Sequence, residues 1–466
     1  MRTRLTGDEA HVLRHLCGWR IGRGMRAKGR CVRSQRCKSS KVIEHLYSKL
    51  QYWYDQELTW LRSPAGSLPS HRARIRLSQV GSLLNYSAES DHEHDTGTHS
   101  GPPILLDHLA ESIHALQTIP KFPTTGAPAG TKPTMLSIKL TGLLSDAFVL
   151  ARASEALARH GGEPDEPFPT AALSLEDSTV LEALHGGMRM IAEEAQRQNV
   201  RLLIDAEQSW FQPAIDRFVD LLSQELNTHA PIIHNTYQAY RRSTPAYLAA
   251  SIARADARGY CFGAKLVRGA YMEAERERHA DLSLPGQCTV WSTKAETDAS
   301  YDACANLLAE RVAREAVSLP PHSPATPAQT SVCFAGHNGS SVRHILTTLA
   351  GQGLVRAQPG GPGLIIDERL RGRMQFGQLM GMTDNLTDTL TALLHPSLAK
   401  SPAQGLPWVF KALPYATVEQ AVPYLLRRAN ENQSILRGDP TSGRGGAKEA
   451  RRAVGREIRR RAGLDF

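Results

Sequence analysis

What this chain lacks narrows its class first. No apolar run reaches the roughly eighteen residues that a spanning helix needs, so no transmembrane segment is predicted. Cysteine is sparse, seven in 466 residues, with no CxxC and no zinc-like spacing. Cys17, Cys31 and Cys37 lie in a basic leader, and Cys261, Cys288, Cys304 and Cys333 in the body. That scatter is expected of free thiols in a reducing compartment, and no metal is expected. No HExxH and no GxSxG occur, which argues against a zinc protease and a serine hydrolase. No GxGxxG follows a strand-like run and no Walker-type loop is present, so a nucleotide cofactor would not be held in the Rossmann manner.

Charge is present but uneven. The formal net charge is +9. Residues 1–41 hold 12 basic and 2 acidic residues, leaving 43 basic and 44 acidic elsewhere, so the body is about neutral. An arginine-rich, acid-poor leader with Ser34, Ser39 and Ser40 has the composition of a mitochondrial transit peptide. A nucleic-acid-binding arm is the competing reading; targeting is adopted, and no nucleic-acid partner is expected. A second basic stretch, Arg451 to Arg461, reads as a terminal helix with a cationic face, either simply solvated or touching anionic lipid.

Between these ends, eight short apolar or β-branched runs read as strands. They are GSLLNYS (81–87), MLSIKLTGL (135–143), VRLLIDAE (200–207), PIIHNTY (231–237), FGAKLVRGAY (262–271), SVCFAGHN (331–338), RMQFGQLMG (373–381) and WVFKALPY (408–415). Helical periodicity separates them, for example over 145–160, 181–199, 214–227, 244–259 and 293–317. Strands alternating with helices imply a parallel sheet, and eight such units predict an α/β fold of the closed (β/α)8 type. Irregular stretches are expected at 62–78, 88–102, 119–134, 161–171, 317–330, 356–363 and 438–446. The predicted organisation is a leader over 1–41, a helical extension over 42–79, the barrel over 80–436 and a basic tail over 437–466.

In a parallel barrel the reacting groups collect at the carboxyl ends of the strands. Lys139 is assigned within its strand. Asp205 and Glu207 end the next, followed by Tyr237 with Gln238, then Lys265, Arg268 and Tyr271, then His337 with Asn338, then Gln378 with Leu379. Each has a structural explanation of its own: Lys139 and Asp205 as a buried ion pair, His337 as a helix cap, Tyr271 as packing. Their convergence on one face is what points to a site. After the last strand, PYLLRRANEN places Arg427 and Arg428 on a helix whose apolar stripe runs through Val418, Ala421, Val422, Leu425, Leu426 and Ala429. Tyr424 and Glu431 lie three and four residues to either side. Such a guanidinium pair suits either a solvated ion-pair face or capture of a small carboxylate.

Seven blocks, SIKLTGL, IDAEQSWFQPAID, NTYQAYRR, GAKLVRGAYMEAER, FAGHNGSSV, QFGQLMGM and PYLLRRANEN, occur in this order. Together, over about residues 80–436, the chain resembles proline dehydrogenase, the flavin-dependent family also called proline oxidase. It fits the eukaryotic, mitochondrial, monofunctional branch, fungal-like, better than the bacterial bifunctional one, since the sequence contains no aldehyde dehydrogenase domain. The resemblance implies a distorted (β/α)8 barrel with FAD at its carboxyl face. It also implies oxidation of L-proline to 1-pyrroline-5-carboxylate by hydride transfer to the flavin N5, with electrons passed to ubiquinone at the matrix side of the inner mitochondrial membrane.

By the same resemblance, Arg427 and Arg428 would bind the substrate carboxylate, oriented by Glu431. Lys139 would also contact that carboxylate, with Asp205 as its acidic neighbour. Tyr271, Leu379 and Tyr424 would wall the ring. Asn235, Gln238, Lys265, Val267, Arg268, Ala270, His337 and Asn338 would contact the flavin and its phosphates. The chain departs from many members in having Lys265 for Arg, Asn235 for Gln, and Met272 for a Trp against the adenine. Ala412 stands where many have a Tyr shielding the substrate ring, and relatives without that Tyr tend toward 4-hydroxyproline. A dehydrogenase of 4-hydroxyproline or another cyclic amino acid is therefore the second expectation. A Schiff-base aldolase using Lys139 or Lys265 is the third.

Overall fold

The computed structural model describes residues 80–86, 104–118, 134–161, 168–284, 286–320, 329–361, 363–380, 382–399 and 407–415, all inside the unit Ser70–Phe466. The leader predicted over 1–41, the extension over 42–79, the tail over 437–466 and the helix predicted to carry Tyr424, Arg427, Arg428 and Glu431 lie outside the described residues.

Eight parallel strands close into a barrel: β1 (Val80–Tyr86), β2 (Thr134–Ile138), β3 (Arg201–Ile204), β4 (Ile233–Gln238), β5 (Phe262–Val267), β6 (Thr330–Ala335), β9 (Met374–Leu379) and β10 (Val409–Tyr415). Neighbours run β1-β10-β9-β6-β5-β4-β3-β2 and back to β1, the predicted (β/α)8 closure. Outside the wall lie α1 (Leu106–Thr118), α2 (Phe148–His160), α3 (Leu175–Gln198), α4 (Gln212–Leu226), α5 (Thr244–Arg258), α6 (Met272–Asp281), α7 (Lys294–Val317), α8 (Gly339–Gly351) and α9 (Asp384–Ala399). Among the described residues no helix is long and apolar enough to cross a membrane.

Local chemistry sets the helix ends. Thr293 and Glu296 form a reciprocal capping box at the start of α7. Pro stands in the first turn of α4 and of α5, where its missing N–H costs nothing. Asn199, at φ 51, and Gly259, at φ 74, end α3 and α5 in left-handed geometry. The Ser174 hydroxyl caps the Asp177 amide, so α3 begins six residues before the stretch assigned from periodicity. A cap is one residue and leaves no periodic trace.

Apolar burial is divided between two layers. Leu83, Met135, Leu203, Cys333, Phe410 and Ala412 meet on the barrel axis. Larger clusters lie between the strands and their helices, Phe218 and Ile233 in one and Tyr301 and Phe334 in the other. The eight predicted strands all form, with shorter ends. β2 stops at Ile138, so Lys139 follows the strand instead of lying in it. β5 stops at Val267, because Gly269 turns the chain at φ 129. A Cβ at Gly269 would lie 1.5 Å from the Tyr240 ring, so only glycine fits there. The stretch 356–363, assigned as irregular, joins a hairpin outside the barrel: β7 (Val355–Ala357) pairs antiparallel with β8 (Leu364–Ile366). Its two strands are only three residues each, and the Gly and Pro between them dominate the local composition.

Candidate active site

At the carboxyl end of β2, β3 and β5, Asp205, Lys265 and Ser137 form a compact polar centre. Lys265 Nζ lies 2.5 Å from Asp205 Oδ1, with both side chains about seven-eighths buried. It also donates to Ser137 Oγ at 3.4 Å, and the Ser137 hydroxyl donates to the same carboxylate. Burial by itself would raise the Asp205 carboxyl. The adjacent Lys265 ammonium, helped by Ser137 and Lys139, outweighs that and holds it below the usual carboxylate range. Asp205 is therefore a fixed anion.

Two residues on, Glu207 behaves in the opposite way. It is 3 % exposed, and burial raises its carboxyl despite Lys139 and the donors of Thr141. The Thr141 amide donates to it at 3.2 Å and the Thr141 hydroxyl also donates. Its backbone is fixed as well: its N–H donates to Gln212 Oε1 at 2.8 Å and its carbonyl accepts from Gln238 Nε2 at 2.7 Å. Lys139, nearly buried, sits over the Tyr271 ring with Nζ 5.8 Å from the centroid. Two carboxylates pushed apart in proton affinity, beside two lysines, are the electrostatic pattern of a reactive site.

Around this centre the structure gathers most of the predicted residues. Lys139, Asp205 and Tyr271 come together, but Asp205 pairs directly with Lys265, and Lys139 acts on it only through charge. Asp205 remains the acidic neighbour of Lys139 through charge, while the direct ion pair is with Lys265, which β5 brings to the same carboxylate. Gln238 faces the loop after β3, and Val267 is its register neighbour. Arg268 donates to Asp298 Oδ1 at 2.7 Å and to Ser341 Oγ at 2.9 Å, and stacks 4.3 Å from the Tyr301 centroid. His337 Nε2 accepts the Leu379 amide at 3.0 Å, tying the ends of β6 and β9. Asn338 caps α8 through Ser340 N at 2.9 Å. Ala270 is half-buried in the turn before α6. Leu379 packs with Ala412 against the axial cluster.

Asn235 is not brought to this group. Its amide donates to Asp216 on α4 at 2.9 Å, so it lies between strand and helix on the outer side of β4. Two residues, Ser137 and Glu275, escaped the sequence reading of the site, and Glu207 was placed at its strand end without a role, although Asp-Ala-Glu puts both acids on one side of an extended segment. Ser137 lies inside the strand-like run MLSIKLTGL, where no local pattern marks it. Glu275 was unremarked: it is 3 % exposed and accepts from Ser209 N and Oγ, each at 2.6 Å, and from Thr289 Oγ1 at 3.1 Å.

The rim carries groups of the kind that hold phosphates. Arg268 lies beside Gly336, where a Cβ would come 3.4 Å from Nη1. Arg268 also reaches the first turn of α8, a helix of 13 residues. A guanidinium beside a glycine and a helix N-terminus are groups that hold phosphates. Lys265 offers a cation nearer the axis.

Comparison with known proteins agrees with this architecture. Residues 74–437 match the sequence pattern described as proline dehydrogenase. The human mitochondrial proline dehydrogenase 1 is 33% identical over 54% of this chain and 35% of its own length. Rat hydroxyproline dehydrogenase is 34% identical over 58% of the chain and 51% of its own length. Bovine hydroxyproline dehydrogenase is 28% identical over 83% of the chain and 77% of its own. The match thus spans about half or less of the first two relatives. Among solved structures, proline utilization A from Bdellovibrio bacteriovorus superposes with a TM-score of 0.55 at 17% identity, covering 81% of this chain and 32% of that one. A bifunctional proline utilization A protein gives 0.52 at 19%, covering 81% and 30%. These two speak for the fold alone. With the pattern covering residues 74–437 on a closed parallel barrel, the chain belongs to the proline dehydrogenase family.

Proposed function

We propose that this chain oxidises L-proline to 1-pyrroline-5-carboxylate with FAD as its cofactor. The observation that carries this reading is the buried Asp205–Lys265–Ser137 centre beside Lys139 at the carboxyl mouth of the barrel. Bound FAD supplies the hydride acceptor; Lys265, Val267, Arg268, Ala270, Gln238, His337 and Asn338 would hold it. Lys139 offers an ammonium to the substrate carboxylate, and Tyr271 and Leu379 wall the ring. Arg427 and Arg428, with Tyr424 and Glu431, complete the carboxylate clamp. Binding the carboxylate far from the reacting carbon lets remote contacts fix orientation. Asp205 holds Lys265 in place through their ion pair. Ubiquinone as electron acceptor, peripheral contact with the inner mitochondrial membrane on its matrix side, and delivery by the basic leader complete the proposal. The human, bovine and Drosophila proline dehydrogenases that it resembles are named mitochondrial.

Ala412 favours a second reading, 4-hydroxyproline as the substrate. It lies on the barrel axis beside Leu379, and a methyl there leaves room above the ring. Several relatives are named hydroxyproline dehydrogenase. Anaerobic bleaching of the flavin band at about 450 nm separates the two. Reduction by L-proline is the expected result, and reduction only by trans-4-hydroxy-L-proline moves the assignment to the second reading. A colourless protein that takes up no added FAD overturns both.

A further inference from the structure

On the outer side of β4, away from the Asp205–Lys265 centre, a cavity of about 470 Å³ opens between α4 and α5. Among the described residues its lining carries four guanidiniums, of Arg217, Arg241, Arg254 and Arg258, against two carboxylates, of Asp216 and Asp220. Asp220 serves three of the four arginines. Arg254 Nε is 2.9 Å from it, Arg258 Nη1 3.5 Å and Arg217 Nη1 4.0 Å. The same carboxylate also accepts the Tyr260 hydroxyl at 2.7 Å. The second acid, Asp216, is occupied by Gln212 Nε2 at 2.8 Å and Asn235 Nδ2 at 2.9 Å, and burial raises its carboxyl. Arg241 lies close enough to Asp216 for its charge to act on that carboxyl, while its Nε is buried with no hydrogen-bond partner among the described residues.

The cavity wall thus carries four guanidiniums against two carboxylates, in a site partly withdrawn from water. Like charges gathered this way repel unless an anion sits among them. The backbone adds to the surplus. Ser243 and Thr244 at the start of α5, and Gln212 and Pro213 at the start of α4, line the same space. At α4 the Ser154 hydroxyl accepts the Ala214 amide at 3.0 Å, but α5 has no side-chain cap at its start, so one positive helix end faces the cavity region. A network that only pinned α4 to α5 would need Asp220 with one or two arginines, not four guanidiniums around a space of ligand size.

We propose that this cavity binds a compact oxyanion of two or more negative charges, held by Arg241, Arg254 and Arg258. A phosphate monoester and a dicarboxylate share that chemistry, since each accepts paired guanidinium N–H groups. The site is independent of the proposed oxidation. It does adjoin the mouth, because the Thr244 hydroxyl donates to the Gln238 carbonyl at 2.6 Å and Gln238 Nε2 holds the Glu207 carbonyl.

The test is calorimetric titration of the full flavin-loaded chain with inorganic phosphate and, separately, with succinate, against chloride at matched ionic strength. Saturable binding of either oxyanion is expected, weakened about tenfold or more in Arg241→Gln and in Arg258→Gln. The tighter of the two probes tells phosphate from dicarboxylate. Absence of saturable binding by both oxyanions overturns the proposal, as do variants that bind like the wild type. If a variant fails to fold, wild-type crystals soaked in tungstate decide. An anomalous peak between Arg241 and Arg254 supports the site, and no peak there overturns it.

Discussion

Asp205 and Lys265 are each about seven-eighths buried, so each charge is compensated mainly by the other. Removing one member of such a pair leaves an uncompensated charge and costs about 3–5 kcal/mol, whereas removing both costs much less. Asp205→Asn and Lys265→Met are therefore each expected to lower the denaturant midpoint strongly, and the double variant to recover a large part of the loss. The pair also has a pH signature. The folded Asp205 carboxyl is held low, so its stabilisation is present above the unfolded value and is lost as pH falls through the folded one. A Lys265→Met protein as stable as the wild type would mean that the contact contributes nothing. The same single variants are expected to lose FAD-dependent turnover, since Lys265 is proposed to meet the cofactor.

At the scale of elements, Glu275 joins three segments of the mouth. From the first turn of α6 it accepts two hydrogen bonds from Ser209 in the loop after β3 and one from Thr289. Its own amide donates to the Tyr271 carbonyl at 2.9 Å, so it sets where α6 begins and where Tyr271 stands. Arg278 on the same helix stacks 4.6 Å from the Trp210 centroid, a second tie to that loop. Glu275→Gln turns one acceptor into a donor facing donors, at a cost of about 1–3 kcal/mol. The expected kinetic outcome is a raised substrate KM with kcat largely kept, and partial rescue by Glu275→Asp. A fall in kcat alone would remove Glu275 from substrate positioning. The barrel strands were legible because contiguous β-branched runs between turn signals survive any register. The pairing across the barrel was not. Strands buried on both faces have no polar side to read, so nothing local distinguished Lys265 from Lys139 as the partner of Asp205. The same ambiguity hid the outward turn of Asn235 toward Asp216. Glu275 was illegible for a further reason: its partners are 66 and 14 residues away, and MEAERERHAD reads as an ordinary solvated helix.

For the whole molecule, the barrel floor makes acid stability depend on one histidine. His234 is 1 % exposed, its Nε2 has no partner among the described residues, and its Nδ1 meets only the Ile232 carbonyl, at 3.3 Å. Arg201 crosses the floor from β3 to donate to the Gly372 carbonyl at 2.6 Å, which brings a guanidinium beside the imidazole. Burial first, and then Arg201, push the His234 imidazole down to about 3. An unfolded chain protonates its histidine at about 6.5. Between these two values the unfolded state binds the extra proton and the folded state does not, so stability rises with pH across that window and falls as acid is added. At about pH 4.5 the penalty from His234 alone is about 2–3 kcal/mol, and at neutral pH it is close to zero. His234→Phe keeps the ring volume and removes the proton site. The variant is expected to unfold near the wild-type temperature at neutral pH and clearly above it at about pH 4.5. Thermal midpoints measured for both proteins across this range check the outcome: diverging curves place the acid limb on His234. Parallel curves would move it to the carboxylates, among which Asp205 has the same sign and Glu207 and Asp216, raised in the fold, the opposite one.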